Sequence, residues 1–106
     1  MEARESILRG RLQGELFTEC AGWIWEQLQE EGYQLAGELI ELILEAEREL
    51  GIQALDLGTI ASRLEDELRL RGVKGNPYAL EAPLIRAVLE WEDDFLGFAA
   101  ISRAES

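Results

Sequence analysis

Histidine is absent from the 106 residues and cysteine occurs once, at Cys20. Without histidine there is no Ser-His or Cys-His nucleophile pair and no histidine-containing zinc site. A single cysteine excludes an intrachain disulfide, and with no base to activate it and no second thiol to resolve it, Cys20 is expected to serve as a small hydrophobe. No apolar run approaches the roughly 18 residues of a membrane span. The opening residues MEARES lack the apolar segment of a secretory signal. Both absences lead to the expectation of a cytoplasmic protein with no membrane partner. Gly72–Pro77, GVKGNP, lacks the GK[ST] ending of a phosphate loop, and no convincing strand precedes it. Neither a cofactor site nor a catalytic constellation is expected.

Hydrophobic residues make up 47% and charged residues 30%, a globular composition rather than a disordered one. At this length the chain is expected to form a single helical domain over 1–106, with a thin core that association would help. The net charge is -12 and it is unevenly placed. Residues 1–14 hold three Arg and two Glu, whereas 15–50 hold ten Glu and one Arg. Residues 51–74 balance at four of each sign, and 75–106 carry six acids against two Arg. An acidic surface repels nucleic-acid backbones and anionic membranes, and it favours a protein partner with a basic surface.

Hydrophobic periodicity predicts an all-α protein, a compact bundle of four main helices. The first is expected from Glu2 to Glu31. Leu8, Leu12, Leu16, Cys20, Ile24 and Leu28 recur every fourth residue along one stripe. A second apolar flank runs through Ile7, Gly10, Gly14, Phe17, Ala21 and Trp25. A helix with two apolar sides needs two neighbours. Gly10 and Gly14, read as interior glycines, would form a notch for a close backbone approach. Gly32 is the expected stop.

The second helix is expected over Tyr33–Leu50, with Leu35, Leu39, Leu42, Ile43, Ala46 and Leu50 buried and Glu38, Glu41, Glu45 and Glu49 in solvent. A short connection around Gly32 makes the first two helices an antiparallel hairpin. Gly51 should end the second. A third helix, Gly58–Arg71, is capped by Asp56 or Thr59, buries Ile60, Ala61, Leu64 and Leu68, and stops at Gly72. Asn76 and Pro77, at the end of the GVKGNP loop, make a good N-cap and N1 pair, starting a turn that Pro83 interrupts or kinks. The fourth helix is expected from about Pro83 to Phe95 or beyond, broken in its apolar surface by Glu90, Glu92, Asp93 and Asp94. The last residues, ISRAES, read as frayed.

Two patterns hint at chemistry. Glu38 with Glu41, Glu41 with Glu45, and Glu90 with Asp93 have one-turn spacing. Such pairs on facing helices resemble the acidic pairs that hold Mg²⁺ in all-α nucleotide pyrophosphohydrolases, an enzyme alternative. The third helix with Arg63, Arg69, Arg71 and Lys74 suggests a helix-turn-helix DNA-binding alternative, opposed by Glu65, Asp66 and Glu67 on the same helix. The favoured function is an acidic helical protein-interaction or regulatory module without catalysis or metal. Its expected interface is the second flank of the first helix, Ile7, Gly10, Gly14, Phe17, Ala21 and Trp25, and its expected state a homodimer.

Overall fold

A computed structural model describes residues 12–72 and 81–106. Among these residues four α-helices form the fold: α1 (Gly14–Glu30), α2 (Gly37–Leu50), α3 (Leu57–Leu70) and α4 (Ala82–Phe98), followed by a 3₁₀ turn at Arg103–Glu105. No strand occurs among the described residues. Each helix packs against two others, α1 and α3 both touching α2 and α4, and the α3–α4 contact is the most extensive. One cluster fills the space between them. It includes Cys20, Ile24 and Leu28 of α1, Ile40, Ile43 and Leu44 of α2, Ile60, Leu64 and Leu68 of α3, and Ile85, Val88, Leu89 and Leu96 of α4. Each fully buried Ile or Leu contributes about 1.5–3 kcal/mol relative to an exposed one.

Helix ends follow local chemistry. Asp56 caps α3, its carboxylate accepting from the Thr59 N–H at 3.0 Å and from the Thr59 hydroxyl at 2.7 Å. Those bonds, the hydroxyl first, hold the Asp56 carboxyl below its usual range. Gly32, Gly51 and Gly72 stand beyond the ends of α1, α2 and α3 with φ of 92°, 65° and 68°, as their stop positions require. At α4, Gly97 lies inside the helix and does not end it. Ala100 takes the left-handed position instead, with φ 57°. The N–H groups of Ala100 and Ile101 bond back to the Gly97 and Leu96 carbonyls, and burial of Ile101 beside Leu96 completes the motif. Glu65 of α3 reaches across to accept the Ala82 N–H at 2.8 Å, so one helix caps the next.

The structure corrects several expectations. Within the described residues the first helix begins at Gly14, whose φ of 60° turns the chain out of an extended Gln13. Gly14 is therefore not an interior glycine and makes no notch, and Gly10 and Ile7 lie outside the described residues. Residues 33–36 precede α2 rather than opening it, although Leu35 is buried. The buried stripe of α2 is rotated: Ile40, Ile43, Leu44 and Glu47 face the core, while Leu39, Leu42 and Leu50 are half-buried at its edge. Leu16 on α1 is likewise half-buried. Asn76, Pro77 and most of the GVKGNP loop lie outside the described residues. The last residues are not frayed, since Ile101 and Ser106 are buried and Arg103 is engaged by both α2 and α4.

Candidate functional site

The described part of the α1 flank singled out by sequence, Gly14, Phe17, Ala21 and Trp25, borders α2. Ala21 and Trp25, with Thr18 and Gly22, line one wall of an open groove of about 400 Å³ whose other wall is Gly37 and Glu41 of α2. Gly14 and Phe17 line the next cavity along the same seam, about 370 Å³, together with Leu12, Gln13, Glu45, Arg48 and Glu49. Ala21 is buried and Phe17 packs against the core, so helix contact already covers much of this flank. Trp25 is the exception, 40% exposed at the groove's edge. The groove exists because its walls are small: α1 offers Ala21 and Gly22, and α2 begins with Gly37, so neither helix fills the space between them.

Acids surround this groove. On α1, Glu15 and Glu26 lie one turn to either side of Thr18 and Gly22; on α2, Glu38 and Glu45 flank Glu41 by the same spacing. Among the described residues none of these five enters an ion pair with a basic side chain. Between residues 15 and 46 the chain has eight Glu and neither Arg nor Lys.

The opposite side of α1 packs on aromatics of α4, of which Phe98 stays largely exposed. Trp23 meets Trp91 edge-on at 5.5 Å between ring centroids, and meets Phe98 edge-on at 5.6 Å and Phe95 at 6.0 Å. The Trp91 indole N–H donates to Glu31 at the end of α1. Such pairs add about 0.5–1.5 kcal/mol each beyond their burial. They fix α1 to α4, leaving the α2 side as the one where Trp25 stays wet.

Sequence spacing missed a buried charge cluster. Glu47 and Glu92, both fully buried, face each other from α2 and α4 between two guanidiniums. Arg48 reaches Glu47 at 3.0 Å and Glu92 at 2.8 Å; Arg103 reaches them at 2.6 and 3.0 Å, and Asp93 at 2.7 Å. The two contacts to Glu92 are close charge contacts off the hydrogen-bond directions. Arg103 also donates to the Leu89 carbonyl, and Arg48 to Leu44 and Ser106 main-chain oxygens. Burial, reinforced by the neighbouring Glu92 charge, pushes the Glu47 carboxyl up to about 8.

Cys20 lies fully buried, and its thiol is pushed up to about 12, first by burial and then by the Glu92 charge. It has no thiolate character at neutral pH. The acid pairs noted by spacing, Glu38 with Glu41, Glu41 with Glu45 and Glu90 with Asp93, are not drawn into a cluster able to hold a cation among the described residues. Among the described residues, Glu47 and Glu92 meet across helices between the guanidinium groups of Arg48 and Arg103. On α3, Arg69 pairs with Glu65 and Asp66, and Arg71 with Glu67 and Glu49. Lys74 lies outside the described residues.

The class defined by this geometry is an all-helical bundle with an aromatic α1–α4 side, a buried charge cluster and an acidic groove. No family model matches the chain, and neither a curated protein nor a solved structure matches it.

Proposed function

We propose that the chain is a protein-interaction module without chemistry of its own, and that it meets its partner on the α1–α2 face. The observation that carries this is Trp25, exposed beside an open groove with small-residue walls and glutamates around it. Tryptophan is the residue type most enriched among interface anchors, and solvating it at a groove edge has no structural benefit that would explain it.

A homodimer through the same flank is the rival arrangement. It would set the five glutamates around the groove of one copy against the same five of another, with no Arg or Lys between residues 15 and 46 to pair them. Like charges brought together cost affinity, so the charge favours a different, basic partner. The test is retention from an extract of the native host on immobilised chain, wild type against Trp25→Ala. A partner held by the wild type and lost in the variant, a change of about 2 kcal/mol or roughly 30-fold in affinity, is expected. Equal retention by both, or retention of nothing, contradicts the assignment of this face.

A further inference from the structure

The groove between α1 and α2 has a shape and a charge, and together they specify an occupant. It runs between two helices and is bounded by Thr18, Ala21, Gly22 and Trp25 on one side and Gly37 and Glu41 on the other. Two glycines and an alanine let another backbone come close. The exposed edge of Trp25 offers an apolar anchor point. No strand edge exists among the described residues onto which an extended peptide could add hydrogen bonds. Recognition by an apolar groove between helices is the mode used for amphipathic helices, which insert side chains at i, i+3, i+4 and i+7. Around the groove, Glu15, Glu26, Glu38 and Glu45 are exposed, Glu41 is half-buried in the wall, and no basic side chain of residues 15–46 offsets them.

Resting on the protein-binding reading above, we infer that the groove takes a basic amphipathic helix of another protein, apolar face inward and Lys or Arg along both rims. The apolar stripe of such a helix meets Ala21, Gly22 and Trp25, and its cations meet the glutamates of α1 on one side and of α2 on the other. A second copy meeting the groove through its own α1–α2 face fails the charge requirement, because that face carries the same sign. Nucleic acid fails it for the same reason. Charge attraction across the rims speeds encounter and makes it depend on salt, while the apolar contact sets the register.

The probe is a synthetic leucine–lysine amphipathic helix of about five turns, titrated into ¹⁵N-labelled full chain. Controls are a scrambled peptide of the same composition and a leucine–glutamate version. Gly22→Leu is the blocking variant: its Cβ points into open space and its backbone is helical, so the substitution fills the groove without disturbing the fold, which circular dichroism verifies. The expected result is saturable binding that shifts Thr18, Gly22, Gly37, Glu41 and the Trp25 indole, weakens with salt, and loses at least about tenfold in affinity in Gly22→Leu and with the scrambled peptide. Equal binding by Gly22→Leu, by the scrambled peptide or by the leucine–glutamate peptide overturns it, as does no binding. Groove shifts that grow with protein concentration alone assign the site to a second copy, overturning this inference while leaving the interaction reading intact. Host-partner retention indifferent to Trp25→Ala removes that reading itself.

Discussion

Glu47 and Glu92 sit within apolar stripes, Glu47 one turn beyond Ile43 and Leu44 and Glu92 one turn beyond Val88 and Leu89, a placement that costs stability unless each is paired. Their partner Arg103 is 56 residues from Glu47 and falls in a segment with no periodicity, so no local spacing announces the contact. The Asp56–Thr59 cap, three residues apart, could be read directly. Removing Arg103 by Arg103→Ala leaves two buried acids with half their compensation and should cost about 3 kcal/mol in urea unfolding. A loss below about 0.5 kcal/mol would show that the cluster is not formed in solution. Its pH dependence has a definite sign. Glu47 titrates near 8 when folded against 4.5 in the unfolded chain. The folded state thus binds the extra proton between these values, and its contribution is fully present below about 4.5 and lost as pH rises toward 8. The urea midpoint of the wild type should fall over that interval relative to Glu47→Gln, which has no such proton to lose. Parallel pH profiles for the two proteins would refute the assignment.

Helix identity was legible in the sequence because periodicity and stop glycines act within a few residues, and four main helices form in the expected order, although α1 and α2 begin later than the apolar spacing suggests. Which face of α2 turns inward was less legible. Ile, Leu and Ala occupy Leu39, Ile40, Leu42, Ile43, Leu44 and Ala46 almost without interruption, so tertiary packing chooses the centre of the stripe. Leu44→Ala should cost about 2–5 kcal/mol, as cavity-forming deletions of buried leucines do, and Leu39→Ala distinctly less. The reverse order in chemical denaturation would restore the face expected from spacing. Helix ends provide a second comparison. Gly51 holds a left-handed φ of 65° with open space around it, so Gly51→Ala adds only backbone strain, about 1 kcal/mol of destabilisation. At Ala100 the same conformation, φ 57°, is held by a residue with a Cβ, and Ala100→Gly should relieve a similar strain and raise the melting temperature. A drop in melting temperature at Ala100→Gly would mean that α4 ends differently.

At the scale of the molecule, charge and shape divide the surface. The candidate flank was half legible: Ala21 and Trp25 do share a groove, and Gly14 and Phe17 share the adjoining cavity. Its covering by α2 could not be foreseen, because two apolar flanks do not say which neighbour takes which. Trp23 and the aromatics of α4 claim one side, and the small residues Gly22 and Gly37 leave the other unfilled. Five glutamates, Glu15, Glu26, Glu38, Glu41 and Glu45, lie around that unfilled side, and among the described residues none of them pairs with a basic side chain. A face that is open, partly apolar and of one sign is suited to a partner of the opposite sign and unsuited to itself. Sedimentation equilibrium of the wild type, alone and with the leucine–lysine helix, tests this most directly. Alone at tens of micromolar the chain should weigh 12.0 kDa, and at saturation it should gain the mass of one peptide, a gain absent in Gly22→Leu; a mass near twice that of the chain without peptide, or a gain indifferent to Gly22→Leu, would contradict it.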